Sequence, residues 1–125
     1  MRTEIYFAKP DVTRRPMRRV FQLAAILTAT AILYLSLKPA SGVAGPLYAD
    51  KVQHALAYGV LTTLMALGWP KTRLLILIVV AIMFGIGMEV AQGLGGQGRL
   101  PSAYDAVANG VGAMIAASVF HVFRK

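Results

Sequence analysis

The sequence predicts an all-α protein: a four-helix transmembrane bundle with short loops and a basic N-terminal arm. Three observations predict it. First, the 125-residue chain is 57% hydrophobic and only 14% charged, with a mean hydropathy of +0.61. A soluble domain carries about 25% charged residues, and a chain this short cannot hide so much apolar surface in one core. Second, the apolarity is gathered into four runs of 15 to 19 residues, close to the roughly 20 helical residues that cross a bilayer core. Third, the runs do not alternate as barrel strands do, and lipid admits only helices or closed barrels.

Residues 1–19 read as a basic cytoplasmic arm and residues 20–123 as the membrane domain. The arm shows no apolar periodicity from Met1 to Pro16 and reads as flexible. The first run, Val20 to Leu37, has 18 residues and no charge. Its start, "RRVFQLAAIL", partly resembles a twin-arginine export signal, with "GVA" (Gly42 to Ala44) as a cleavage site. An 18-residue run exceeds the usual signal core of 7 to 15, so the expectation is an uncleaved span. The second run, Val52 to Pro70, contains only His54 as a side chain that titrates near neutral pH. The third, Leu74 to Met88, resumes after Glu89. The fourth, Ala106 to Phe123, contains only His121.

Loop charges set the expected direction. Arg2, Lys9, Arg14, Arg15, Arg18, Arg19, Lys71, Arg73, Arg124 and Lys125 fall on one side, leaving Lys38, Lys51 and Arg99 on the other. The positive-inside rule then places both termini in the cytoplasm of a bacterial-type inner membrane. Tyr48 and Tyr104 are expected near the outer interface and Trp69 near the inner one. The net charge of +8 would point to nucleic acid in a soluble protein. Here the basic residues lie between apolar runs, which points to topology and anionic lipid and to no nucleic-acid partner. Without cysteine, disulfides and thiolate chemistry are excluded.

The stretch "YADKVQHALAYG" (Tyr48 to Gly59) puts an acid, a base, an amide and an imidazole at the doorway of an apolar run. Asp50, His54 and Tyr58 are spaced i, i+4, i+8 and share one helix face. Glu89 and Gln92 share a face near the end of the third run. Asp105 and Asn109 share one at the start of the fourth, with Ser102 before them. In an antiparallel bundle these three segments meet at one depth, with Arg99 hanging over them. Ionisable groups inside membrane helices are costly and usually mark function. Asp50, His54, Glu89 and Asp105 are therefore the catalytic candidates. Lys51, Tyr58, Gln92, Arg99, Ser102 and Asn109 are the ligand-binding candidates.

Each piece also has a plain structural role. Asp50 can cap a helix start, and Ser102 with Asp105 is close to a capping box. Glu89, between Met88 and Val90, needs a partner, with Arg99, Lys51 and His54 as the candidates. "GLGGQG" (Gly93 to Gly98) lacks the ending of a nucleotide loop and reads as a flexible connection. "GIG" (Gly85 to Gly87) and "NGVG" (Asn109 to Gly112) read as close-packing devices, and His121 and the methionines as packing.

Taken together, Asp50-Lys51-x-x-His54-x-x-x-Tyr58, Glu89-x-x-Gln92 and Arg99-x-x-Ser102-x-x-Asp105-x-x-x-Asn109-x-x-Gly112 resemble the VanZ-like family. The resemblance covers about Tyr48 to Gly112. It implies a small multi-spanning envelope protein, and the family's namesake is associated with low-level teicoplanin resistance.

Two functional classes stay open from the sequence. In one, the polar pocket faces the outer leaflet and binds or acts on an envelope lipid or glycolipid. Lys51 and Arg99 would hold an anionic headgroup, and His54 would serve as acid or base. In the other, the cluster is a structural clasp in a non-catalytic binding or scaffold protein, and a homo-oligomer or a membrane-protein partner is open. Proton-coupled transport ranks below both, because the other halves of the runs lack polar stepping stones. No cofactor is assigned. A metal ranks low, because Lys51 and Arg99 already compensate the carboxylates.

Overall fold

The computed structural model describes residues 14–38, 47–95 and 102–124. Four helices follow one another: α1 (Arg14–Leu37), α2 (Leu47–Gly68), α3 (Leu74–Leu94) and α4 (Ala103–Arg124). Each begins or ends beyond its charge-free run. Absence of charge marks only the part suited to lipid, whereas a helix continues as long as its backbone can. Thus α1 takes in Arg14 to Arg19, with Pro16 in the first turn, where a missing N–H costs nothing. At the other end of the bundle, α2 starts at Leu47 and so holds Asp50 and Lys51 inside its first turns.

Three helices are long and apolar enough to cross a membrane: Arg15–Leu37, Leu74–Leu94 and Ala103–Phe123. Twenty-one residues at 1.5 Å each span about 32 Å. The fourth, α2, has 22 residues, but Asp50, Lys51, Gln53, His54 and two threonines dilute its apolarity. It packs against all three other helices, while α1 and α4 do not touch each other among the described residues. A helix with neighbours on so many sides turns His54, Thr62 and Thr63 onto protein, while Asp50 and Gln53 stay exposed near its start.

Inter-helix hydrogen bonds fix the up-down-up-down order. Gln22 Nε2 donates to the carbonyl of Gly68 at 2.8 Å, joining the start of α1 to the end of α2. It satisfies one of the carbonyls that a helix C-terminus leaves without a partner. At the far end, Gln92 Nε2 donates to the carbonyl of Ser36 at 3.0 Å, joining α3 to the end of α1. Both described ends of the chain therefore lie at the end where α2 turns into α3. Arg15, Arg18, Arg19, Lys71 and Arg73 collect there.

The core is built from small and medium residues: Ala25, Ile32, Leu61, Met65, Ala66, Leu77, Ala81 and Ala113 are buried, with Tyr58 as the one large ring. Alanines let the backbones approach closely, as suits helix association in lipid. The outer faces are apolar too. Leu27 is 69% exposed, Leu75 69% and Ile115 60%, and such continuous exposed apolar surface suits hydrocarbon rather than water. The hydroxyls of Thr28, Thr30, Thr63 and Ser118 bond within their own helix, as with Thr28 to Ala24 and Ser118 to Met114.

Candidate functional site

All acidic residues after Asp11 are Asp50, Glu89 and Asp105, and all three lie at the end of the bundle where α2 and α4 begin. Lys51 Nζ bonds Asp50 Oδ2 at 3.2 Å and also Asp105 Oδ1. Each carboxylate has a second oxygen, and both second oxygens face His54. His54 Nε2 stands 3.7 Å from Asp50 Oδ1 and 3.6 Å from Asp105 Oδ2. The other ring nitrogen, Nδ1, is 2.9 Å from Asn109 Oδ1. An amide oxygen only accepts, so Nδ1 carries the hydrogen and donates. This leaves Nε2, the nitrogen facing the two aspartates, with a lone pair in the neutral ring.

Exposure falls inward along this set. The side chain of Asp50 is 55% exposed, Lys51 36%, His54 20% and Asp105 12%. The site opens past Asp50 and closes on Asn109, which is buried. One turn deeper on α2 lies Tyr58, also buried, its ring tilted against Phe84 at 6.0 Å between centroids. Gly85 of α3 makes room for both: a Cβ there would meet Asn109 Nδ2 at 3.1 Å and Tyr58 Cε1 at 3.2 Å. The hydroxyls of Tyr58 and Thr62 are buried without a hydrogen-bond partner among the described residues.

Glu89 is buried, and its Oε2 accepts from the backbone N–H of Ser102 at 2.8 Å. A carboxylate at the first N–H groups of α4 also meets the positive end of the helix dipole. Ser102 in turn accepts at Oγ from the N–H of Asp105 at 3.4 Å, so its capping role is realised. Glu89 was expected to pair with Arg99 or Lys51. Lys51 is instead held by the two aspartates, because it lies on the side of α2 that faces α4. Arg99 lies outside the described residues, as does the "GVA" stretch.

Of the sequence candidates, Asp50, Lys51, His54, Asp105 and Asn109 are brought together. Glu89 and Ser102 adjoin them through the first turn of α4. Gln92 is placed elsewhere: its amide ties α3 to α1 at Ser36. Tyr58 forms the floor. With Lys51 committed to two carboxylates, an anionic headgroup would have to compete with both for that ammonium. His121 is exposed at the opposite end. Thr62 escaped the sequence reading, although it continues the Asp50, His54, Tyr58 face by one more turn. Gln22 escaped it too, although an amide in an uncharged run is itself a signal of a helix–helix bond.

Between α2 and α4 runs a lateral groove of about 460 Å³, lined by Val52, Ala55, Leu56, Gly59, Gly112 and Ile115 among others. Its lining is almost wholly apolar, and Val52 directly follows Lys51. Fold and site together define a helical membrane protein with an ionisable cluster at one end of its bundle. Comparison with family models, with curated proteins and with solved structures finds no match to this chain.

Proposed function

We propose that the chain is a VanZ-like integral membrane protein of a bacterial-type cell envelope, with both termini cytoplasmic, whose polar end binds or acts on an envelope lipid or glycolipid. The observation that carries this reading is the assembly of Asp50, Lys51, His54, Asp105 and Asn109 from two helices at one end of a membrane bundle. Ionisable groups at such a depth usually mark a functional site. The apolar groove beside Lys51 suits an acyl chain, and carboxylate, amide and imidazole groups suit a hydroxyl-rich headgroup. Arg15, Arg18, Arg19, Lys71 and Arg73, collected at the opposite end, support the cytoplasmic placement of the termini.

A second reading has its own observation. Lys51–Asp105, His54–Asn109 and Glu89–Ser102 each join two elements, as a structural clasp in a non-catalytic membrane scaffold would.

The test uses cells that depend on the chain for a measured lipid profile and for teicoplanin susceptibility. His54→Gln keeps a polar side chain but no imidazole. The expected result is a variant that reaches the membrane in normal amount and returns both readouts to those of cells without the protein. A variant that restores both fully would remove the lipid-site reading. The topology has its own check: a reporter fused after Lys125 is expected to behave as cytoplasmic, and an external signal would reverse the orientation.

A further inference from the structure

We propose that Asp50, His54 and Asp105 form a binding site for one divalent transition-metal ion, with Zn²⁺ as the representative. One nitrogen and two oxygen donors, on Asp50, His54 and Asp105, all lie within 4.8 Å of one another. The His54 Nε2 to carboxylate oxygen distances are 3.7 and 3.6 Å. Zinc–ligand bonds of about 2.0 Å place tetrahedral ligand atoms roughly 3.3 Å apart, so the two His54 pairs close by a few tenths of an ångström and the carboxylate pair, within 4.8 Å, by at most about 1.5 Å. Asp50 is the more exposed carboxylate, at 55% against 12% for Asp105, and supplies most of that movement. A mixed imidazole and carboxylate set suits Zn²⁺ better than Mg²⁺, which prefers oxygen alone.

Three further features fit a metal. Asn109 takes the Nδ1 hydrogen at 2.9 Å. Metal-bound imidazoles almost always donate their other nitrogen to an oxygen in this way, which fixes the ring and the tautomer. Nε2 faces the two carboxylates, a position that a metal cation suits when the ring is neutral. Lys51 holds the opposite oxygens, Asp50 Oδ2 and Asp105 Oδ1. It therefore neutralises part of the charge without taking the His54 side of either carboxylate. The third feature is independent of the cluster. Tyr58, one turn deeper on the same face, buries a hydroxyl with no partner among the described residues. Helical tyrosines lean toward the N-terminal end of their helix, here the His54 layer, in which a water or ligand oxygen on a bound metal would also sit. Three protein ligands leave such a coordination position open.

This inference does not rest on the lipid reading, because binding is measured without lipid substrate. Purified full-length chain in detergent, with any affinity tag removed, is stripped with chelator and titrated with ZnCl₂ by calorimetry, with metal content checked after gel filtration. One equivalent per chain is expected. Asp50→Asn, on an exposed side chain, and His54→Gln are each expected to weaken binding at least tenfold. Lys51→Met is expected to keep the site and tighten it, because it removes the competing cation. His121→Gln is expected to leave binding unchanged. Circular dichroism and elution volume identify any variant that has not folded, and Asp50→Asn alone suffices if His54→Gln fails that check. No uptake by folded wild-type chain, or uptake that Asp50→Asn leaves unchanged, would overturn the proposal. So would binding that appears only in Lys51→Met, which would show that the ammonium takes the metal's place.

Discussion

Gly112→Ala is expected to destabilise the protein by about 3 kcal/mol or more, the largest effect of a methyl group added at Gly59, Gly68, Gly85, Gly87, Gly110 or Gly112. A Cβ at Gly112 would lie 2.0 Å from the Ala55 carbonyl oxygen and 2.7 Å from its carbon. Both are backbone atoms, so no rotamer change relieves the clash. Carbon and oxygen need more than 3 Å, so α2 and α4 would have to part by about 1 Å or more. That separation acts on the bonds that make the site, because Lys51–Asp105 and His54–Asn109 both cross the same helix pair. The measurement is thermal unfolding in detergent. Gly87→Ala is the control: none of the described residues lies within 4 Å of a Cβ there, and alanine is the better helix former. Its melting temperature is expected to equal or exceed that of the wild type. If Gly112→Ala melts with the wild type, the α2–α4 packing described above is wrong.

The same residue shows what the sequence could and could not say. "NGVG" and "GIG" were legible as close-packing signals, and Gly112 and Gly85 do bring backbones or side chains together. Among the described residues Gly87 meets nothing, and Gly110 only Ile82 Cγ1 at 3.8 Å. Which glycine of a pair faces the neighbour depends on helix rotation, and rotation is set by contacts from another part of the chain. The four helices themselves were plain, because lipid imposes length and apolarity on each one locally. The end of the bundle that holds the cluster followed from the antiparallel order. The pairing inside the cluster did not follow. Charge alone made Glu89 and Lys51 natural partners, yet Lys51 faces α4 and Glu89 reaches the first N–H groups of that helix. Gln92 was placed by its i, i+3 relation to Glu89 in a shared site. Three residues along a helix turn the side chain by some 60°, and that was enough to aim it at α1 instead.

Glu89 supplies the experiment that separates a working site from a clasp. Its Oε2 accepts the Ser102 N–H at 2.8 Å from a position only 7% exposed. Glu89→Leu removes the acceptor and leaves that N–H without its bond, at a cost of about 1–3 kcal/mol. Glu89→Gln keeps an amide oxygen in nearly the same place, so the bond to Ser102 survives and the expected loss is less than about 1 kcal/mol. The two variants thus differ in stability while both lack the carboxylate charge. If Glu89 serves only to hold α3 against the start of α4, function follows stability: Glu89→Gln works and Glu89→Leu fails. If its charge belongs to the site beside Asp50 and Asp105, both variants lose the lipid-composition readout although Glu89→Gln melts close to the wild type. The second pattern is the expected one. A bundle of this size has no shortage of apolar contacts to join two helices, and a charged acceptor buried to receive one backbone N–H carries a desolvation cost that a neutral glutamine would avoid. Melting temperature and lipid profile, measured on the same membrane preparations, decide between them.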